Sequence, residues 1–224
     1  MVEIDTEAER NLAEAEKLRQ EARRAAADAE IRELELKWKQ DEDRERERGK
    51  PLRGGAYVFN SDVNDYSIER LLSHLAQVHK ADPEAPMDII INSPGGSVFA
   101  GNEAMDTIYN YSLRGGGKHK VTMTVRGMAA SMGGIMLQIA DERVMGAQSF
   151  CLIHEVASMA IGKVGDLKDE IELLDKMSSR VVDLFVERSG GKITKKKFLE
   201  LSKRKDWWLS ADECLKFGFV DRIG

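Results

Sequence analysis

The sequence predicts an α/β domain preceded by a charged helical extension. Three observations predict it. From residue 56 onward short β-rich runs alternate with amphipathic helical stretches, the grammar of α/β proteins. Two of these units, one after the other, read as strand, glycine-bearing turn and helix. The composition also changes abruptly near residue 50, dividing the chain into an extension, 1–50, and a domain, 51–224. Its 224 residues suit one domain of ordinary size plus an appendage, and a core of that size needs no covalent staples.

Residues 1–50 hold sixteen acidic and twelve basic side chains and few large apolar ones, so they have no core of their own. Ala, Leu, Glu and Arg dominate, proline is absent, and acid-before-base pairs recur four residues apart (Asp28–Arg32, Glu33–Lys37, Glu35–Lys39, Glu42–Arg46). One long exposed helix over roughly 6–47 is the expectation. Leu12, Leu18, Ala22, Ala25 and Ala29 form a thin apolar stripe, compatible with a solvated tail or with pairing to a partner helix. Gly49-Lys50-Pro51 and Gly54-Gly55 punctuate the way into the domain.

The domain's first strand is Ala56-Tyr57-Val58-Phe59, followed by a helix from about Ser67 to Lys80. Met87 to Asn92 is a second, buried strand, running through Ser93-Pro94-Gly95-Gly96-Ser97 into a helix that carries Ala100, Ala104, Ile108 and Tyr109. The unit repeats with Val121–Val125 as strand, Arg126 to Ser131 as a turn of small residues, and Met132 to Ala140 as helix. Strand-like runs follow at Glu142–Gly146 and Ser149–His154, the second apolar until it ends on a histidine. Val164, Leu167, Ile171, Leu174, Met177, Val181 and Leu184 recur at threes and fours, which predicts a long amphipathic helix over 163–188. Gly190-Gly191 stops it, and a short basic helix, Thr194 to Arg204, comes next. Ser210-Ala211-Asp212-Glu213 is a capping box opening a last helix that Gly218 closes, with Phe219–Ile223 as a final short strand.

A net charge of -5 spread over a chain that is 33% charged offers no basic face of the kind nucleic acid requires. Cys151 and Cys214 lie far apart in sequence, with neither C-x-x-C nor histidine spacing around them. Neither a disulfide framework nor a zinc site is expected, no cofactor is called for, and a reducing compartment fits. The N-terminus lacks the basic start and apolar run of a secretory leader, and no stretch reaches the roughly eighteen consecutive apolar residues of a membrane span. A cytoplasmic protein with no membrane partner is the expectation.

Acyl transfer to a serine needs a nucleophile on an exposed tight turn, a base within reach, and backbone N–H donors aimed at the developing oxyanion. Ser131 sits at a strand-to-helix junction after two alanines, where the following helix leaves free N–H groups beside its hydroxyl, the Met132 amide among them. Gly95-Gly96 holds the equivalent junction of the preceding unit, and the Gly96 N–H offers a second donor. His154, at the exit of a buried strand, is better placed as a base than His74, His79 or His119, which fall on a helix or in the basic Lys118-His119-Lys120 turn. Plainer readings stand beside these: Ser131 as a helix cap, and His154 as the cap of a sheet edge. Ser97 is a rival nucleophile, although its place after two glycines suits a helix N-cap better.

The runs Ile91-Asn92-Ser93-Pro94-Gly95-Gly96-Ser97-Val98, Gly127-Met128-Ala129-Ala130-Ser131-Met132-Gly133 and Ile153-His154 resemble, in order and interval, the proteolytic subunit of the Clp proteases. The resemblance covers about residues 56–224. It implies the crotonase/Clp-protease-like fold, a repeated β-β-α spiral with a long handle helix at 163–188, and a serine endopeptidase with Ser131 as nucleophile and His154 as base. It assigns the oxyanion hole to the Gly96 and Met132 amides. It further implies a homo-oligomer of stacked hexameric or heptameric rings, acting on peptide or protein substrates. An acyl-CoA enzyme of the crotonase type shares the two-amide oxyanion hole, yet needs no serine–histidine pair.

The third member of the triad departs from the pattern. Family members carry an aspartate nine residues before the alanine of the closing L-S-A motif, and here that position, counted from Ala211, is Ser202. Asp206 is the expected orienting acid from a shifted position, with Glu200, Glu155, or a dyad helped by Ser202 or water as alternatives. The Gly162–Leu167 and Phe185–Gly190 segments and a tryptophan before L-S-A are similar to the divergent Clp-like peptidases of phage and prophage capsid gene clusters. That similarity implies capsid or scaffold protein as partner and substrate. A catalytically idle ring subunit and a housekeeping peptidase serving an AAA+ ATPase are the other readings.

Overall fold

The computed structural model describes residues 55–157 and 161–224, with Ala29 and Arg32 besides. The extension helix expected over 6–47 lies outside the described residues except at Ala29 and Arg32, both helical. In chain order the elements are β1 (Tyr57–Phe59), α1 (Asp65–Ala81), β2 (Met87–Ser93), α2 (Val98–Tyr111), β3 (Val121–Ala130), α3 (Met132–Leu137), β4 (Glu142–Met145), β5 (Phe150–Ile153), α4 (Val164–Arg188), α5 (Lys195–Ser202), β6 (Trp207–Ser210), α6 (Ala211–Phe217) and β7 (Arg222–Ile223). This is a mixed α/β fold. The helices pack on a seven-stranded sheet of order β1-β2-β3-β4-β7, parallel throughout, with β5 on β3 and β6 antiparallel on β5.

Local chemistry accounts for most boundaries. α1 opens on a capping box in which the Asn64 side chain accepts from Ser67 N–H and Ser67 Oγ receives the Asn64 N–H. Ser97 caps α2, its Oγ accepting from Ala100 N–H, the role its position favours over that of a nucleophile. The inward residues of β2 (Met87, Ile89, Ile91) and β3 (Val121, Met123, Val125) meet Ile68, Leu71 and Leu75 of α1 and Ala104 and Ile108 of α2 in one core.

β3 departs from expectation. The run from Arg126 is strand as far as Ala130, not a turn of small residues. Between Ile91 and Ser93 of β2 the register on β3 slips, and Gly127 there takes a φ of +97°. The bulge's N–H groups are satisfied from the side: Asn92 Oδ1 accepts Met128 N–H, and Ser149 Oγ accepts Gly127 N–H. With those groups paired, the strand continues after its kink and exchanges neighbours. Thr122–Val125 pairs with β4, whereas Met128–Ala130 pairs with β5.

Smaller differences have similar causes. α3 ends at Leu137 rather than Ala140, because Gln138, Ile139 and Ala140 donate to carbonyls three residues back, a turn tighter than α. Only Arg222–Ile223 of the expected last strand pairs; Phe219 N–H instead closes α6 on Cys214 O. His119 is not part of a solvated turn: it is buried, donates from Nδ1 to Ala85 O at 2.7 Å, and accepts at Nε2 from His79 Nδ1 at 2.8 Å. Cys151 and Cys214, distant in sequence, are both free and buried; the neighbouring Cys151 side chain and burial push the Cys214 thiol far up, so it stays protonated. β6 has no counterpart among the expected elements.

Candidate active site

Ser131 follows β3 directly and is the residue before α3. Its backbone lies at φ 52°, ψ -124°, a conformation L-residues adopt at a cost of about 1–3 kcal/mol. Contacts on both sides hold it there. Its N–H donates to Leu152 O at 2.9 Å, and its C=O accepts from Gly134 and Ile135 N–H. Gly95 fills the other side: a β-carbon on Gly95 would stand 2.6 Å from Ser131 Cβ, 2.7 Å from Ala130 O and 3.0 Å from Met132 N. Only glycine fits against this turn, and its φ of +99° favours glycine as well.

The two candidate oxyanion donors lie on either side of that contact. Met132 is the first residue of α3, so its N–H is one of the groups a helix start leaves without an internal partner. Gly96 forms an isolated parallel bridge to Val63, made by Val63 N–H to Gly95 O and Ser97 N–H to Val63 O, each 2.7 Å. A parallel bridge of this kind uses the groups flanking Gly96 and turns the Gly96 N–H away from Val63.

His154 follows β5, two residues beyond the carbonyl that holds Ser131. Its Nδ1 lies 2.6 Å from Glu155 O; a carbonyl only accepts, so Nδ1 carries the proton and Nε2 is left as the basic nitrogen. No hydrogen bond joins Ser131 and His154 among the described residues.

β6 brings Asp206 to this histidine. β5 and β6 run antiparallel with Phe150 opposite Ser210 and Ile153 opposite Trp207, so one further step of the register sets His154 across from Asp206. Trp207 packs edge-to-face on Phe198, Phe217 and Phe219, which anchors the strand one residue from the carboxylate. His154 and Asp206 line a common open cavity of about 410 Å³ with Glu155, Val156, Arg204 and Lys205. Ser202 lines a smaller cavity of about 60 Å³ together with His154; it is buried and its Oγ donates to Phe198 O at 3.0 Å. Glu200 is exposed and pairs with Lys197. A second cavity of about 410 Å³ opens beside Met132, between α2, α3 and α4, walled mainly by Val98, Ile135, Leu173, Met177 and Val181.

The family model described as Clp protease matches residues 42–224. The chain belongs to the Clp protease family. Its relatives include ATP-dependent Clp protease proteolytic subunit 1 of Chlamydia muridarum, 30% identical over 169 residues, or 74% of this chain and 83% of that protein. Proteolytic subunit 3 of Rhodococcus jostii is 31% identical over 168 residues, covering 74% of this chain and 79% of its own. Subunit 1 of Chlamydia caviae is also 31% identical, over 169 residues, 74% of this chain and 84% of the relative. Clp proteases are serine-type peptidases, and this chain is one of them.

In this Clp-family chain β3, β5 and β6 are flanked by Ser131, His154 and Asp206 at one end of the sheet, while Ser97 caps α2 and Glu200 pairs with Lys197. Sequence reading missed two features here. The first is β6, signalled by the aromatic pair Trp207-Trp208 between a basic turn and a capping box. The second is the place of Arg204 and Lys205 in the wall of the histidine's cavity, for which a run of cations gives no signal.

Proposed function

We propose that the chain is an endopeptidase that cleaves peptide bonds through an acyl-enzyme on Ser131. Ser131 Oγ attacks the scissile carbonyl carbon while His154 Nε2 takes its proton; the Gly96 and Met132 N–H groups bind the oxyanion. His154 then returns the proton to the leaving amine, and water, activated the same way, hydrolyses the ester. Each oxyanion donor supplies about 10²–10³ in rate. Asp206 stabilises the imidazolium formed in both steps. The observation carrying this reading is the pair of registers on β5, which ties Ser131 to Leu152 on one side and sets Asp206 across from His154 on the other. The apolar cavity beside Met132 suits a bulky apolar substrate side chain.

The proposal extends to two parts, a 1–50 extension and a 51–224 catalytic domain of the family's repeated spiral, assembled as stacked hexameric or heptameric rings. We assign capsid or scaffold protein as the physiological substrate, on the strength of the sequence features shared with phage-type peptidases; the relatives are named ATP-dependent, which keeps an ATPase of the AAA+ kind as the competing partner. Fluorophosphonate labelling of the assembled protein tests the chemistry. One adduct on Ser131, absent from His154→Ala, is the expected result.

A second reading, a ring subunit without activity, draws on one observation: His154 Nδ1 bonds to a backbone carbonyl instead of a carboxylate. Intact rings that take up no label would favour it.

A further inference from the structure

The cavity that His154 shares with Glu155 and Asp206 has a partly basic rim. Arg204 and Lys205 line it, and Lys203 lines the small adjoining cavity beneath His154. On the same stretch Lys195 pairs with Asp183 and Lys197 with Glu200, whereas Lys196 enters no ion pair among the described residues. Among the described residues Lys203, Arg204 and Lys205 enter no ion pair. Two carboxylates face them, Glu155 and Asp206, and the second is committed to His154 in the mechanism above.

The backbone beneath this rim is unusual. Lys205 N–H closes on Ser202 O at 3.2 Å, with Lys203 at φ -62°, ψ 122° and Arg204 at φ 57°. These are the angles of a type II turn, whose third position favours glycine because φ is positive there. The chain places an arginine at that position, directly in the wall of the cavity. A strained residue held beside reacting groups points to a role in recognition rather than in folding.

We propose that Arg204 and Lys205 are specificity-determining residues that recognise a carboxylate side chain flanking the scissile bond, so that the enzyme selects acidic peptides. The inference rests on the Ser131–His154 reading of the site. A guanidinium held by its turn presents a planar pair of donors to a carboxylate, and Lys205 adds a second charge. Both groups are solvated, so the effect is a preference of about threefold to tenfold, weakening with salt.

Binding tests it without turnover. The full-length Ser131→Ala protein is titrated, at about 50 mM salt, into two fluorescein-labelled peptides that differ only in carrying Glu or Gln on both sides of a central leucine pair, with anisotropy as readout. The expected result is a threefold to tenfold tighter Kd for the Glu peptide. The ratio falls to about one when Arg204→Gly and Lys205→Gln are added. Arg204→Gly relieves the turn, so its melting temperature is kept or raised, which separates lost recognition from lost folding. Lys196→Gln removes one charge of the same sign outside the cavity, against the two removed at the rim, and leaves the ratio within about twofold. Equal binding of the two peptides, no detectable binding of the Glu peptide, or a fall in ratio with Lys196→Gln as large as with the rim variants would each overturn the proposal. Labelling of Ser131 together with equal peptide binding sinks the rim alone. A Glu preference without labelling sinks the peptidase mechanism and leaves an anion-selective peptide site.

Discussion

Ser131 and Ser202 show what a serine's backbone decides about its hydroxyl. Ser131 is held at positive φ by Gly95 and by the Leu152 carbonyl, so its side chain is free of helix duties: it caps nothing. Ser202 sits in the last turn of a helix and spends its hydroxyl on the carbonyl four residues back. Ser202 thus has its hydroxyl proton engaged although it shares a small cavity with His154, while Asp206 lies one register step beyond the Ile153–Trp207 pair. Asp206→Ala is therefore expected to lower kcat on a fluorogenic peptide by about 10²–10⁴, with Ser202→Ala changing it by less than about threefold. Equal small effects would remove Asp206 from the triad. Gly95→Ala forces a methyl group into Ser131 and the Ala130 carbonyl, and fluorophosphonate labelling of that variant is expected to fail although the protein remains folded by circular dichroism.

Among the elements, the β4–β7 edge carries two ion pairs, Glu142–Arg222 and, with a buried partner, Arg143–Asp221. Arg143 is buried and donates from Nε and Nη2 to the Asp221 carboxylate and from Nη1 to Gln138 Oε1. Burial alone would raise the Asp221 carboxyl, but the hydrogen bonds and charge of Arg143, with Arg188 behind it, outweigh burial and hold it below its ordinary value. A carboxyl depressed in the folded state stabilises fully above its unfolded pKa of about 3.9 and loses that contribution as pH falls through the folded value. Asp221→Asn is expected to cost about 1–3 kcal/mol at neutral pH, since it leaves the buried guanidinium with neutral partners only. Melting temperatures measured from pH 6 down to about 3 should converge for the two proteins at the acid end. Parallel curves over the whole range would show that the pair contributes little.

For the whole molecule the largest unexplained surface is α4. A helix of 25 residues spans about 37 Å, yet only Val182 and Phe185, near its C-terminal end, are buried. Val164 and Ile171 on the N-terminal half are 71% and 59% exposed, so the first part of the apolar periodicity that predicts this helix has no core beneath it in a single chain. Assembly through α4 supplies one in the proposed rings. Ile171→Asp is expected to shift sedimentation velocity profiles to smaller species with helix content unchanged; an unaltered profile would mean that the stripe is not an interface. Deletion of residues 1–50 is expected to leave both fold and assembly in place. Loss of assembly on truncation would make the extension part of the particle.

Much of this was legible in the sequence because it is written locally. Period-two and period-3.6 patterns, the Asn64 and Ser210 capping boxes and the Gly218 stop depend on neighbours within a few residues, and they set α1, α2, α4, α6 and the inner strands close to their observed limits. The Gly95-Gly96 and Gly127–Ser131 segments marked the site because close backbone approach and positive φ demand small residues wherever they occur. Pairing was not legible in the same way. That β3 kinks at Gly127 and trades β4 for β5 depends on Asn92 and Ser149, thirty-five and twenty-two residues away in sequence. That Asp206 lines the same cavity as His154 depends on an antiparallel register between segments some fifty residues apart, with aromatic packing around Trp207. The sequence by itself determined the elements and the residue types at the turn, since those are short-range matters of sterics and hydrogen bonding. Only the tertiary structure decided which side chains share the histidine's cavity, because strand register is set by long-range burial that no local pattern encodes.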